Sequence, residues 1–437
     1  MRCNIVHPQA DELVYEIRRI VLSANRMKKA GLEITWENIG DPVAKGEEVP
    51  DWIVEHLDAV IKDIRTWAYS PTKGIDETRE FVAGMTNDRG GVQITPEAVY
   101  FYNGLGDAVS KLYRYLDSRA RVLCPSPCYP IHATQEWFHA GPGAKQMLYR
   151  LDPTNGWLPD IEKIRTKVRE NPGIAGIMLI NPDNPTGTVW PGELVAGVVE
   201  IAGEYGLFVV ADEIYHRLAY SGEQTVLLSD VIGKVPGISL KGISKEYPWP
   251  GSRCGWMEIY NEDSSSQFKR YVRSLFDAKM LEVCSTTHPQ MTIPRVMADQ
   301  RYPEHLQKRC ESYHGRAGEF YEAFKDLEGV LVTRPNGAFY ASVVFKDGLL
   351  NHRQSLKVDN PQVREVLAEA LEQENLSPDK RLVLHLLAAT GICLVPMTGF
   401  STDLQGFRMT LLESDDSKRA WILATLREKI EEYLGSG

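Results

Sequence analysis

The sequence has no long hydrophobic run. Its richest apolar stretches, Ile174–Ile180 and residues 392–396, have the length of strands, whereas a membrane-spanning helix needs about 18 apolar residues. The first residues do not form an apolar core followed by a small-residue cleavage site, and basic residues interrupt the apolar pattern. We therefore expect a cytoplasmic protein without a membrane partner.

An excess of positive charge is also absent. The 437 residues carry a formal net charge of -10, and the pI is about 5.6. A nucleic acid or an anionic membrane attracts the opposite balance, so neither is expected as a partner and small molecules are favoured. With 43% hydrophobic residues, the chain can bury a sizeable core in about two or three domains.

Cysteine is scarce and scattered. The seven cysteines are an odd number at long spacings, which is not the pattern of a secreted disulfide framework. Cys124 and Cys128 lie close together, but no second cysteine pair or histidine cluster accompanies them to complete a zinc site. We expect buried thiols in a reducing cytoplasm and no bound metal.

What the chain does contain is an alternation of strand-like and helix-like segments. Continuous apolar runs such as IAGIMLI and LFVVAD are typical of a parallel sheet that is covered on both faces. The strand AVYFYN, the glycine turn at Gly104 and Gly106, and a helix from near Asp107 together make a cradle for an anion. The third glycine that a dinucleotide fingerprint requires near Val109 is missing, so a single phosphate is favoured over a pyrophosphate.

Several polar residues fall where the predicted strands end. In a parallel sheet, ligands bind beyond the carboxyl ends of the strands, so these side chains are expected around one crevice. Each has a plainer alternative, because an amide can form a turn, an aspartate can cap a helix, a phenol can pack and a lysine can be a solvated cation. Their coincidence favours a site formed by Tyr129, Asn184, Asp212, Tyr215 and Lys245.

Four motifs occur in order along the chain: NPDNPTG at 181–187, ADEIY at 211–215, GISKEYPWPGSRCGW at 242–256 and GFRMTLLE at 406–413. Together they resemble the fold type I pyridoxal-phosphate enzymes, specifically the class I/II aminotransferases. GISKEY and FRMTLL are most similar to the alanine aminotransferase branch.

The resemblance implies an α/β fold with a mostly parallel central sheet sandwiched by helices and a smaller, discontinuous α/β domain. Residues 1–48 would form an N-terminal arm and part of the small domain. Residues 49–325 would form the large cofactor domain, and residues 326–437 the small C-terminal domain.

It also implies the catalytic roles. Lys245 would carry pyridoxal 5'-phosphate as a Schiff base and then, once released, move the proton from the substrate Cα. Asp212 would keep the pyridine nitrogen protonated, so that the ring accepts the released electrons. Tyr215 and Asn184 match residues that hydrogen-bond the phenolic oxygen of the cofactor, and Tyr129 matches the aromatic residue stacked on its ring.

A phosphate site is implied as well. Arg253 matches the phosphate-binding arginine, although alone it could pair with a surface carboxylate. Tyr69 matches a tyrosine that reaches the phosphate of the neighbouring subunit, which implies a homodimer with shared active sites; alone, it could simply pack. Many relatives have a hydroxyl residue where this chain has Gly106 or Gly242, so the cup would consist mostly of backbone N–H groups. The other cofactor-binding residues implied are Gly104, Leu105, Gly106 and Ser244.

The substrate would be held by residues from both ends of the chain. Arg408 matches the arginine that forks onto the substrate α-carboxylate, with Asn184 beside it. Gly40 would contribute a backbone N–H to the same carboxylate, although on sequence alone it is equally a glycine of a domain-entry turn. A small domain assembled in this way would close over the substrate.

The function implied is transfer of an amino group between a small L-amino acid, alanine-like or related, and a 2-oxo acid such as 2-oxoglutarate. The alternative is another pyridoxal-phosphate enzyme on the same fold, namely a C–S β-lyase, racemase or decarboxylase, because the fold does not decide which bond at Cα breaks. A non-catalytic binding protein with a relict site is the third reading. It is disfavoured because Lys245, Asp212, Arg253 and Arg408 are all present.

Overall fold

The structure is a computed structural model, and it describes residues 3–13, 15–220, 222, 225–372 and 376–437. In these ranges no helix is both long and apolar enough to cross a membrane. The apolar residues over 13–27 recur at helical spacing and predict an amphipathic helix; Val14 within this stretch lies outside the described residues. The helix itself begins at Glu16 and continues to Lys29.

Regular elements alternate along the described part of the chain. The α-helices are α1 Glu16–Lys29, α2 Asp51–Lys62, α3 Asp76–Asn87, α4 Leu105–Arg114, α5 Pro130–Ala140, α6 Ile161–Glu170, α7 Gly192–Tyr205, α8 Leu228–Val231, α9 Ser266–Met280, α10 Thr287–Met297, α11 Tyr302–Phe324, α12 Pro361–Leu371, α13 Pro378–Thr390 and α14 Asp416–Leu434. The β-strands are β1 Thr35–Trp36, β2 Val99–Tyr102, β3 Arg121–Ser126, β4 Leu148–Asp152, β5 Leu158–Pro159, β6 Ile174–Ile180, β7 Phe208–Asp212, β8 Gly237–Gly242, β9 Gly255–Tyr260, β10 Val330–Val332, β11 Tyr340–Phe345, β12 Ile392–Cys393, β13 Val395–Pro396 and β14 Gly406–Thr410.

Local sequence explains many of the helix ends. The Asp160 side chain accepts hydrogen bonds from the first free N–H groups of α6, and Pro130 occupies the first turn of α5, where its missing N–H costs nothing. α7 stops at Gly206, whose φ of 66° suits a glycine cap.

A large sheet dominates the fold, in the strand order β2-β9-β8-β7-β6-β3-β4-β5. The pairs β4–β3, β3–β6, β6–β7 and β7–β8 are parallel, and only strands toward the two edges pair in the antiparallel sense. Helices cover both faces, so nearly every residue of the central strands is buried. The predicted α/β fold with a mostly parallel central sheet is confirmed.

A second, antiparallel sheet has the order β10-β11-β14-β13, and β1 pairs separately with β12 in parallel. The apolar run GICLVP was expected to be one strand, but it divides into β12 and β13, each of which pairs with a different partner. The sequence GAFYASVVF predicts a strand that starts at residues 337–339. The strand begins at Tyr340 instead, since Ala338 has a φ of 53° that interrupts extended backbone.

The buried apolar residues form separate clusters. Two of them sandwich the large sheet. A third joins α1 to the second sheet, α13 and α14, and it also includes the C-terminal half of α11. We retain the domain division at residues 48 and 325 as a proposal.

Candidate active site

The pocket lies at the carboxyl edge of the large sheet. β6, β7 and β8 end side by side there, and a segment with predicted site residues follows each of them. A cavity of about 540 Å3 opens at this edge. The predicted residues that line it are Gly40, Leu105, Gly106, Tyr129, Asn184, Asp212, Tyr215, Ser244, Lys245, Arg253 and Arg408.

Gly104 and Tyr69 do not line this cavity. Gly104 lies behind its wall with a φ of 81°, and a Cβ there would stand 2.5 Å from Arg253 Nη2. Only glycine therefore lets the Arg253 guanidinium pack over the turn. Tyr69 lies on the surface of the chain, and 85% of the residue is exposed.

Lys245 occupies the turn that follows β8. Its Nζ donates a hydrogen bond to the carbonyl oxygen of Gly40 at 2.7 Å. Burial, together with nearby arginines, lowers the pKa of Lys245 from its ordinary 10.5 to about 8. An amine with this pKa loses its proton far more readily than a solvated lysine. The charged groups that act on it are one carboxylate and three guanidiniums: Asp41, Arg253, Arg408 and Arg309.

Asp212 is the last residue of β7 and is 5% exposed. Its Oδ1 accepts a hydrogen bond from the Ile214 N–H at 3.1 Å, and its Oδ2 lies 2.8 Å from His132 Nε2. His132 lies on the first turn of α5 and is 1% exposed. The carboxylate is thus fixed from two sides at the cavity wall, and a histidine supports it from behind.

Four tyrosines meet in pairs around the cavity. The hydroxyl of Tyr215 lies 3.1 Å from that of Tyr340, and the hydroxyl of Tyr129 lies 3.2 Å from that of Tyr15 on the segment before α1. Burial raises the pKa of Tyr215 well above its ordinary value. The Tyr215 phenol therefore stays protonated near neutral pH and can donate a hydrogen bond.

Arg408 lies in the middle of β14 and is 1% exposed. One guanidinium nitrogen donates to Asn184 Oδ1 at 3.2 Å and another to the Asn38 carbonyl, while Nε has no hydrogen-bond partner among the described residues. Its planar group stacks on Tyr340 and Phe400, with centroid distances of 4.5 and 5.1 Å. A buried guanidinium with neutral neighbours can still accept an incoming carboxylate.

Gly40 lies against Tyr340. A Cβ at this position would stand 1.9 Å from the Tyr340 hydroxyl oxygen, so the close approach requires glycine. The sequence predicts a role for the Gly40 N–H on the substrate, and the structure adds that its carbonyl oxygen accepts the Lys245 hydrogen bond.

A candidate anion cradle lies in the same cavity, at the start of α4. The first N–H groups of α4 have no acceptor within the helix, and Leu105 and Gly106 at this end line the cavity. Arg253 adds its guanidinium, with a φ of 50° and a hydrogen bond from Nη1 to the Pro250 carbonyl at 3.1 Å. Gly106 has no hydroxyl to offer, so backbone N–H groups and this arginine make up the cradle.

Sequence reasoning missed several residues of this site, among them Tyr15, Asn38, Asp41, His132 and Tyr340. His132 follows Tyr129 by one helical turn, and this spacing could have indicated that both face the same pocket. Tyr340 and Tyr15 carry no local signal, because their contacts are made with residues more than 100 positions away.

The side chains of the cavity fit pyridoxal 5'-phosphate. They provide an amine for its aldehyde in Lys245, a cationic cradle for its phosphate at Arg253 and α4, and a carboxylate for its ring nitrogen in Asp212. When bound, this cofactor supplies a sink for the electrons that are released when a bond to the substrate Cα breaks.

Known proteins are similar to this chain in sequence and in fold. The chain is 50% identical over 434 residues to an uncharacterised aminotransferase of Methanocaldococcus jannaschii, covering 99% of this chain and 100% of the relative. It is 29% identical over 395 residues to the glutamate-pyruvate aminotransferase AlaA of Escherichia coli, covering 90% and 89% of the two chains. The solved alanine aminotransferase from Pyrococcus furiosus superposes with a TM-score of 0.83 at 25% identity, covering 99% and 100%.

The profile of the family described as aminotransferase class I and II matches residues 38–421. That span begins just before Gly40 and continues past Arg408, so it includes both sides of the pocket. The chain therefore belongs to the class I and II aminotransferases, which are enzymes that transfer nitrogenous groups with pyridoxal 5'-phosphate as cofactor.

Proposed function

We propose that this aminotransferase exchanges an amino group between a small, alanine-like L-amino acid and a 2-oxo acid such as 2-oxoglutarate. The observation that carries the proposal is the placement of Arg408, a buried guanidinium with neutral partners, in the same cavity as the low-pKa amine of Lys245. One group would hold the substrate carboxylate while the other works at Cα. The name of the similar E. coli protein, a glutamate-pyruvate aminotransferase, supports this choice of substrates.

In this proposal Arg408 orients the substrate. Its two terminal nitrogens match the two oxygens of a carboxylate, a geometry that a lysine could not reproduce. Asn184 holds one of those nitrogens in place, and the Gly40 N–H adds a third donor. Orientation of this kind points one bond of Cα toward Lys245, whose Nζ then takes the Cα proton.

Asp212 and Tyr215 would hold the cofactor in its reactive form. The Asp212 carboxylate would accept a hydrogen bond from the protonated ring nitrogen, and His132 keeps that carboxylate in place. The Tyr215 phenol, with Asn184, would donate to the phenolic oxygen of the cofactor, and Tyr129 would stack on its ring. Arg253, Leu105, Gly106 and Ser244 would receive the phosphate, and Gly104 would leave room for the Arg253 guanidinium to pack over the turn.

A small substrate is favoured by the roof of the pocket. The Tyr15 and Tyr129 hydroxyls lie 3.2 Å apart, and both residues line the cavity. We expect this contact to restrict the space for a substrate side chain in the cavity, which would suit a methyl group better than a bulky ring.

We also propose a homodimer with shared sites. An exposed apolar surface formed by two segments, residues 64–69 and 280–283, includes Trp67 and Leu281, of which 65% and 84% are exposed. The chain a few residues beyond the second segment contacts the first, because the Thr287 hydroxyl donates to the Ala68 carbonyl at 3.2 Å. An apolar surface of this kind is typical of an interface, and in a two-fold dimer it would bring Tyr69 of the partner subunit to the phosphate.

The seven cysteines support a cytoplasmic location as part of this proposal. All of them are free thiols in the structure, and four of them are buried. Proteins of oxidising compartments usually pair such residues.

A panel of half-reactions tests the proposed function. The purified holoenzyme is mixed with single L-amino acids, and the absorbance of the lysine-bound cofactor is followed as it converts to the amine form. We expect alanine and glutamate to convert it, and pyruvate and 2-oxoglutarate to restore it. Release of sulfide, carbon dioxide or a D-amino acid without this conversion would instead indicate a β-lyase, a decarboxylase or a racemase.

The dimer is tested separately by light scattering. The protein is expected to have twice the chain mass, and Tyr69→Phe is expected to stay dimeric while it binds the cofactor less tightly. A monomer that keeps full activity would contradict the shared site.

A further inference from the structure

Arg309 lies beneath the turn that carries Lys245. It is 6% exposed, and its Nη1 donates hydrogen bonds to two successive carbonyls, that of Lys245 at 2.6 Å and that of Glu246 at 2.5 Å. Backbone carbonyls in a turn have no partner in a strand or helix, so this guanidinium satisfies groups that burial would otherwise leave unpaired. The backbone position of the lysine thus depends on a residue 64 positions away.

The rest of the Arg309 guanidinium faces another segment. Its Nε pairs with Glu47, its Nη2 donates to the Tyr313 hydroxyl at 3.0 Å, and that hydroxyl donates to Glu47 Oε2 at 2.6 Å. Burial raises the pKa of the Tyr313 phenol above its ordinary value. The hydroxyl therefore stays neutral, accepting from Arg309 and donating to Glu47. The three side chains form one closed, charge-balanced unit.

Glu47 ends a segment, residues 38–47, that forms one wall of the active-site cavity through Asn38, Gly40 and Asp41. At its other side, Lys45 Nζ lies 2.6 Å from Glu37 Oε1 and 3.5 Å from Glu413 Oε2. Segment 38–47 is therefore tied to the chain that follows β14, near Arg408, and also to the lysine turn through Arg309.

The helix that carries Arg309 connects two cores. Tyr302 at the start of α11 belongs to the apolar cluster of the large sheet, whereas Tyr313, Phe320 and Phe324 belong to the cluster of the second sheet. Arg309 lies between these two halves. It links the turn of Lys245 to segment 38–47, which contacts Arg408 through the Asn38 carbonyl.

We propose that Arg309 is a positioning residue for Lys245, fixing the lysine turn through its two carbonyls and tying that turn to segment 38–47 through Glu47. The proposal rests on the assignment of Lys245 as the cofactor lysine. Arg309 would contact neither cofactor nor substrate. It would act on Lys245 through hydrogen bonds to the backbone of the turn and through its own positive charge.

The charge of Arg309 gives a second consequence. The groups that face Lys245 are Asp41 on segment 38–47, Arg253 after β8, Arg309 on α11 and Arg408 on β14, and Asp212 and Tyr215 line the same cavity. Each arginine lowers the pKa of the Lys245 nitrogen, so loss of Arg309 favours the protonated form.

Arg309→Gln in the holoenzyme tests the proposal, with Lys308→Gln as its matched control. Lys308 is the preceding residue on α11, but it is exposed and pairs with Glu304 on the surface at 2.7 Å. We expect Arg309→Gln to lower kcat by about tenfold to hundredfold, because a misplaced base loses this much rate. We also expect it to raise the pH midpoint of the absorbance change of the lysine-bound cofactor. Lys308→Gln should leave both unchanged.

Two further variants separate charge from position. Arg309→Lys keeps the charge, so the midpoint should return toward that of the unaltered enzyme, but kcat should stay low because one ammonium group cannot serve both carbonyls and Glu47. Glu47→Gln keeps the hydrogen bonds to the carbonyls and frees segment 38–47. It should raise KM for the amino acid without raising the midpoint.

A purely structural role for Arg309 would lower thermal stability and leave kcat and the midpoint as in the unaltered enzyme, and this result would overturn the proposal. Equal behaviour of Arg309→Gln and Lys308→Gln would do the same. If Arg309→Gln does not fold, full kcat in Arg309→Lys overturns it. Persistence of the absorbance band in Lys245→Met would refute the assignment of Lys245 itself, which is a different outcome from all of these.

Discussion

Lys241 and Lys245 lie four positions apart, at the end of one strand and in the turn after it, yet their surroundings are opposite in charge. Lys241 Nζ lies 2.8 Å from Glu258 Oε2 and 3.7 Å from Glu213 Oε2. Lys245 Nζ has a carbonyl as acceptor, and three of the four charged groups that act on it are arginines. Carboxylates therefore surround the first lysine, whereas burial and the arginines beside the second lower its pKa.

Burial alone therefore does not make a lysine reactive. The carboxylate that pairs with Lys241 is held by several other groups, because Glu258 also accepts hydrogen bonds from Thr86, Trp256 and Tyr260. Such a pair contributes to the fold, but the amine of Lys241 is engaged by carboxylates and is not available to react with a ligand. Reactivity requires a buried amine whose neighbours have the same sign of charge.

The sharpest contrast is expected in activity. Lys245→Met should lower transamination by at least about ten-thousandfold, because both the covalent attachment and the base are lost. Steady-state assays and borohydride trapping of the cofactor measure this effect. Lys241→Met should retain the trapped cofactor wherever it folds; equal loss of trapping in both variants would remove the distinction between the two lysines.

Stability should show the reverse order. Lys241→Met leaves Glu258 and Glu213 buried without their counter-charge, which is expected to lower the free energy of unfolding by about 3–5 kcal/mol. Denaturant unfolding measures this change. The double variant Lys241→Met with Glu258→Gln should recover part of the loss, and a single variant as stable as the unaltered protein would contradict the pairing.

Arg408 is one of the cations beside Lys245, and it should matter for catalysis rather than for folding. Arg408→Gln is expected to cost about 2–4 kcal/mol in kcat/KM, since a charge-assisted, bidentate contact with the substrate carboxylate is lost. Arg427→Gln, a change on the outer helix α14, serves as the control. An unchanged kcat/KM would remove Arg408 from the site.

The smallest expected effect is on the pH dependence of stability in the protein without cofactor. Lys245 has a folded-state pKa of about 8 and an ordinary pKa of 10.5, so between these values the unfolded chain holds a proton that the folded protein has released. The stability of the unaltered apoprotein should therefore rise with pH through this window. Below about pH 8 the burial of the charged amine costs the most, and Lys245→Met should be the more stable protein by about 1–3 kcal/mol.

Unfolding curves of both apoproteins at pH 7, 9 and 10.5 measure this difference. It should shrink steadily and vanish at the highest pH. A constant difference would mean that the lysine keeps its ordinary pKa in the folded state.

Much of the fold followed from the sequence because strands buried on both faces read as apolar runs. The residues at their ends, such as Asn184, Asp212 and Lys245, could be assigned to one crevice because parallel strands deliver their carboxyl ends to one edge. The division of GICLVP between two sheets could not be foreseen, since Ile392 pairs with Thr35 and Val395 with Arg408, and nothing within the run distinguishes the two partners.

The residues that position the site residues could not be predicted from the local sequence either, because their contacts are distant along the chain. His132 and Arg309 act on residues 80 and 64 positions away, and a histidine or arginine in a helix has no pattern that shows where its tip will lie. Motifs indicated the groups that meet the ligand. Contacts between distant helices and turns decided what holds those groups.

The hydrogen bond between Arg408 and the Asn38 carbonyl joins residues 370 positions apart. During synthesis the large sheet, with the Arg253 cradle and Lys245, leaves the ribosome well before β14 exists. The substrate-carboxylate side of the pocket can therefore be completed only when translation is almost finished, because Asn38 has no Arg408 to contact until then.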